Sequence, residues 1–184
     1  VWHIFCREFF SYLRSYLGYI ILAAILLVNG LLFNGYAMGD QARLSYEVLR
    51  LFFYFSSGTV MIAGILISMR LFAEERQTGT LLLLQIAPIP EWKLVLGKFL
   101  GAYFFLLLLI FLSGYMPLLV MVHGKVTLGH LLTGYLGLTL LGATSVAIGT
   151  FASSIAPNQL ISAVVGSAIM VSLLVLWMVA KKVG

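Results

Sequence analysis

Charge is scarce in this chain. Only 9% of its 184 residues are Asp, Glu, Lys or Arg and 62% are hydrophobic, whereas a soluble globular domain carries roughly a quarter charged residues. With a mean hydropathy of +1.09, a soluble fold is excluded. Cysteine is nearly absent as well. Cys6 stands alone, so there is no intramolecular disulfide and no cysteine-built metal site. The eleven basic residues outnumber six acidic ones, but they form no run or stripe, which argues against nucleic acid and leaves lipid headgroups as the partner of the excess charge. The ten-residue alternation of a membrane barrel is missing. So are the common catalytic signatures. Neither G-x-S-x-G nor H-E-x-x-H occurs, and the two Gly-Lys pairs, Gly97-Lys98 and Gly124-Lys125, have Trp92 and Leu119 where a phosphate-cradling loop needs its first glycine. His123 and His130, without a carboxylate nearby, read as interfacial and not as metal ligands.

What the chain does have is long hydrophobic runs. The fold class is therefore all-α, a polytopic membrane helical bundle. Residues 1–15 put Trp2, Phe5, Phe9, Tyr12 and Leu13 near one helical face and are expected to lie in the interface, not to act as a signal peptide. Five spans are expected, at 17–36, 51–69, 94–116, 129–152 and 158–180. Between the first two, a polar loop should carry Asp40, Arg43, Glu47 and Arg50, and Pro117 should close the third. A cytoplasmic amino terminus puts Arg7, Arg14, Arg70, Arg76, Lys93 and Lys98 on one side, against Arg43, Arg50, Lys125, Lys181 and Lys182 on the other. Six against five becomes six against three without the terminal lysine pair, and the positive-inside rule then favours the amino terminus inside.

Polar groups within the spans are few. Asn29, Ser56, Ser57 and Thr59 either satisfy one another across helices or line a pathway, the former being favoured. Small residues four apart, Ser145 and Gly149, Ala143 and Ala147, Ser162 and Gly166, Ala163 and Ser167, let helix backbones approach closely, whether within the bundle, at a subunit interface or at a gate. The spans are read as free of intramembrane ionisable residues that would mark an ion route.

The segment 70–92 breaks this pattern. Glu74, Glu75 and Arg76 at a bilayer centre would cost about 2.5–3.5 kcal/mol each, so they lie outside it. The apolar run from Leu81 to Ile86 spans only about 9 Å as a helix and cannot cross. Gly79 separates the two parts, and Pro88 and Pro90 stop the second. A short helix at about 80–87, leucine-rich nearly all round, is expected outside the bilayer, where a partner's groove or the lipid surface would cover it.

The stretch MRLFAEERQTGTLLLLQIAPIPEWKLVLGKFLGA, residues 69–102, resembles the signature of type 2 ABC exporter permeases, in particular the gliding-motility-like subclass. It shares Glu-Glu-Arg-x-x-Gly-Thr, a leucine run, a proline nine residues after the glycine, and Trp-Lys-x-Val-Leu-Gly-Lys-Phe. GTFASSIAPNQLISAVVG, residues 149–166, is similar to the family's turn between spans four and five, with Ser153, Ser154, Asn158 and Gln159, and residues 7–23 resemble its elbow helix and first span.

The resemblance implies a permease subunit of an ATP-driven exporter in the cell membrane, paired with a second copy or a similar permease and docked on two ABC ATPase subunits. No cofactor is expected in this chain, with ATP and Mg bound by the partner. The helix at 80–87 would be the coupling helix, with Glu74, Glu75, Arg76, Gly79, Thr80, Leu83, Leu84 and Pro88 as the ATPase-contact set. Asn29, Ser162 and Gly166 would be candidates for the dimer interface or pathway. Two departures stand out: Leu82 occupies a position where the family usually has glutamate, and five spans are legible where the family has six, so a sixth is expected beyond this sequence. The alternatives are a membrane anchor or mechanical transducer driven by an ABC ATPase, which the short external loops argue against, and an intramembrane enzyme, which the missing motifs disfavour.

Overall fold

The computed structural model describes residues 1–37, 45–80, 90–123 and 128–183, and all regular structure among them is helical. In chain order these are α1 (Trp2–Arg14), α2 (Tyr16–Leu32), which runs on into a π-helical turn (Phe33–Ala37), α3 (Ser45–Ser68), α4 (Ala73–Gln77), α5 (Glu91–Leu112), α6 (Tyr115–His123), α7 (Leu128–Ile155) and α8 (Gln159–Val183). Five stretches of the described residues are long and apolar enough to cross a membrane: Tyr16–Gly35, Tyr46–Gln77, Glu91–Met121, Leu128–Ile155 and Gln159–Lys182.

α3 is the central helix, packed on α2, α5, α7 and α8. Its core face, Val60, Ala63 and Ile67, meets Phe105, Leu106 and Leu109 of α5 and Val146 of α7. The α3–α7 crossing is made by small residues on both sides. A Cβ on Gly64 would come 2.6 Å from the Ser145 Cβ, and one on Gly149 would strike Ser68. Gly64 and Ser68 thus face Ser145 and Gly149, two four-residue pairs that bring the backbones together. Gly166 of α8 continues this seam against Ala152 and Ile65. Leu132, Leu136 and Leu140, four apart on the outer side of α7, are exposed as a lipid-facing stripe. Asn29 is buried in the bundle, where its Oδ1 accepts a 2.7 Å hydrogen bond from the Thr59 hydroxyl of α3.

Two boundaries differ from the sequence expectation. Glu47 and Arg50 belong to the first turns of α3 and not to a loop, because Val48 and Leu49 between them are buried and draw that turn into the helix while the charges stay exposed. Pro117 does not close the third span. The helix breaks earlier, at Ser113 and Gly114, and Pro117 sits in the first turn of α6, where its missing N–H has no intrahelical acceptor to lose.

Candidate functional site

At the end of the bundle where α3 finishes, the chain makes a tight turn through Met69–Phe72 into α4, and then another through Thr78–Thr80. Helix ends leave backbone groups without partners, and here distant residues supply them. The Ser153 hydroxyl of α7 accepts from the N–H groups of Phe72 and Ala73, both at 3.0 Å, and donates to the Met69 carbonyl at 2.9 Å. One hydroxyl thereby caps the start of α4 and relieves the end of α3. Arg76 of α4 returns the favour. Its guanidinium donates to the carbonyls of Ser154 at 2.7 Å, Ile155 at 3.2 Å and Ala156 at 3.0 Å, the open carbonyl end of α7, where a cation also suits the helix dipole. Pro157 follows, and Asn158 restarts the chain by accepting the Ile161 N–H at 2.8 Å as N-cap of α8, with Gln159 the first helical residue.

The neighbour of Arg76 points elsewhere. Glu75 Oε1 accepts a 2.7 Å hydrogen bond from Lys98 of α5, which also donates to the Leu71 carbonyl at 2.7 Å and to Glu8 of α1 at 3.2 Å. Lys98 is 1% exposed, and these acceptors use all three of its N–H donors. Arg7 bridges the same two carboxylates, at 2.9 Å from Glu8 and 3.5 Å from Glu75. What allows α1 to come so near is a pair of glycines flanking the lysine. A Cβ on Gly97 would fall 2.8 Å from Ile4, and one on Gly101 2.6 Å from Glu8.

Two further contacts hold α1 in place. Tyr12 is buried, stacks on Phe105 and donates its hydroxyl proton to the Ile67 carbonyl at 2.8 Å. Burial, followed by the charge of Glu8, pushes the Tyr12 phenol well above its ordinary range. Arg70 lies over the Tyr12 ring and pairs with Glu74 at 2.8 Å.

Of the residues expected to matter from the sequence, Glu74, Glu75, Arg76, Ser153, Ser154 and Asn158 come together here. Gly79, with φ of 72°, and Thr80 form the turn that leaves the site. Leu82, Leu83, Leu84 and Pro88, with the rest of the expected 80–87 helix, lie outside the described residues. Asn29 takes no part. Ser162 is buried, its hydroxyl without a partner among the described residues. Lys98, which the sequence reading groups with the headgroup-level charges, is instead buried at the centre of the cluster. Glu8, Arg7 and Tyr12 were also missed as site residues, and the Gly97-Lys98-x-x-Gly101 pattern was the available signal of close helix approach.

In comparison with known proteins, the model of a family described as ABC-2 family transporter protein matches residues 7–184. No curated protein and no solved structure matches the chain.

Proposed function

This chain belongs to the ABC-2 transporter family and is the multi-pass membrane subunit of an ABC transporter, not itself its ATPase; on that premise we propose that it couples ATP hydrolysis by separate ATPase subunits to export across the cell membrane. Two such ATPases, carrying ATP and Mg, dock beneath a pair of permeases, either two copies of this chain or this chain and a similar one. The amino terminus and the α4 end of the bundle face the cytoplasm. Within the family we assign it to the gliding-motility-like subclass, a reading supported by the resemblance of residues 69–102 to that subclass's signature.

The observation that carries this reading is the double attachment of α4. Residues 81–89, which the ATPase engages, follow directly from the Thr78–Thr80 turn. Upstream of that turn, Glu75 is tied to α5 and α1 through Lys98 and Glu8, while Arg76 and Ser153 tie α4 to the α7–α8 junction. A push delivered at 81–89 therefore reaches α5, α1 and the carboxyl end of α7 through two adjacent side chains. Closure of the ATPases on ATP moves this hub, and the pathway between the permeases opens.

The test is copurification followed by uncoupling. Detergent-solubilised chain is expected to bring down a subunit with a phosphate-binding loop. Leu83→Asp, which places a charge on the docking face, and Gly79→Trp, which blocks the turn before it, are expected to leave the chain inserted but to abolish its effect on ATP hydrolysis. Recovery of a lone species, or full coupling in both variants, contradicts the proposal.

A further inference from the structure

Between α1, α4 and the start of α5 lies an open cavity of about 560 Å³, its wall including Arg7, Glu8, Glu74, Glu75, Thr78 and Thr80. Arg70 and Lys98 line it too, so three cations stand against three carboxylates, with Arg70 paired to Glu74 at 2.8 Å. Two carboxylates, Glu8 and Glu75, face one buried ammonium, Lys98, an excess of one negative charge. Arg7 makes up the difference from the Glu8 side, at 2.9 Å, but its side chain is 57% exposed and it reaches Glu75 Oε1 only at 3.5 Å. The other oxygen of that carboxylate, Glu75 Oε2, is buried and has no hydrogen-bond partner among the described residues. A buried carboxylate oxygen without a donor is costly, and the group that best relieves it is a positively charged N–H donor.

We infer that this cavity receives one basic side chain of the ATPase subunit, a guanidinium or ammonium group that pairs with Glu75 while Arg7 swings aside. The inference rests on the proposed coupling role, since it takes its partner from there. A protein side chain suits the site better than a lipid amine. The exposed Thr78 and Thr80 at its rim lead into the segment proposed to dock the ATPase.

The experiment is equilibrium binding of the purified ATPase subunit to the full chain in phosphatidylcholine nanodiscs, whose lipid amine has no N–H to donate. Glu75→Gln is expected to weaken binding about tenfold, the worth of one charge-assisted hydrogen bond. Arg7→Ala is expected to strengthen it, because the resident competitor is gone. Unchanged affinity in Glu75→Gln, or weaker binding in Arg7→Ala as a purely structural Arg7–Glu75 contact would require, overturns the inference. Should Glu75→Gln fail to fold, the exposed Arg7 position decides alone. If added phosphatidylethanolamine weakens ATPase binding to the wild type but not to Glu75→Gln, the site is a lipid-amine site and the inference fails. Absence of ATPase binding to the wild type defeats the proposed function itself, whereas binding indifferent to Glu75 defeats only this inference.

Discussion

Ser153 and Arg76 cap each other's helices. Ser153, at the end of α7, holds the first N–H groups of α4, and Arg76, on α4, holds the last carbonyls of α7. Each side chain satisfies backbone groups about 80 residues away, so neither helix end is complete without the other. Removing either cap should cost about 1–2 kcal/mol of stability. Because both act at one junction, the losses should not add: Ser153→Ala with Arg76→Ala is expected to fall short of the sum of the singles by at least about 0.5 kcal/mol, measured by thermal unfolding in detergent. Arg76→Lys keeps the charge without the planar fork and should lie between Arg76→Ala and wild type.

Lys98 offers a contrast between breaking a buried ion cluster and replacing it. Lys98→Met alone leaves Glu8 and Glu75 without their buried cation and with only the exposed Arg7 between them, and is expected to destabilise by about 3–5 kcal/mol. The triple variant Lys98→Met, Glu8→Gln, Glu75→Gln removes the charges together and should recover most of that loss. Midpoints of chemical unfolding in mixed micelles distinguish the two. A triple variant as unstable as the single one would show that the charges themselves hold the helices together.

Gly79 sits in a backbone conformation that is strained for any residue with a side chain. Its φ is 72°, and a Cβ there would meet nothing within 4 Å among the described residues. Gly79→Ala is therefore expected to cost about 1–2 kcal/mol through backbone conformation alone, and Gly79→Asn clearly less, because asparagine tolerates this region. Equal losses in thermal unfolding would place the cause elsewhere.

Tyr12 supplies a pH signature. Its folded-state phenol is held above the ordinary value of 10.0, so the folded chain keeps its proton where the unfolded chain releases it. Stability is unaffected below pH about 10 and falls as pH rises through that value, since the unfolded state then gains by ionising. Tyr12→Phe should be less stable near neutrality, having lost the hydrogen bond to Ile67, yet should show a smaller alkaline loss than the wild type. Thermal midpoints from about pH 8 to about pH 11 would show it.

The bundle was legible in the sequence because apolar run length alone decides which segments can cross a bilayer. The seam of Ser145, Gly149 and Gly166 was visible as spacing, but its partners, Gly64 and Ser68, depend on how α3 is rotated, which hydropathy does not encode. α4 was invisible for a different reason. Five residues with three charges carry no periodicity, and its start is completed by a serine on another helix. Lys98 was overlooked because its partners lie 23 and 90 residues away in sequence, so a lysine near a span's end looked like one more headgroup contact. Pro117 misled by type: proline ends a helix from within but is at home in a first turn.

The central claim is that nucleotide-driven motion enters the membrane helices through α4. Its most direct test places spin labels at Thr80→Cys in a Cys6→Ser background, so that each chain carries a single thiol. The distance between the labels of two paired copies is then measured in nanodiscs with the ATPase bound, before and after adding a non-hydrolysable ATP analogue. The account predicts a shift in that distance with the native Arg76 and its loss in Arg76→Ala. A distance distribution that ignores nucleotide while the ATPase stays bound would contradict it.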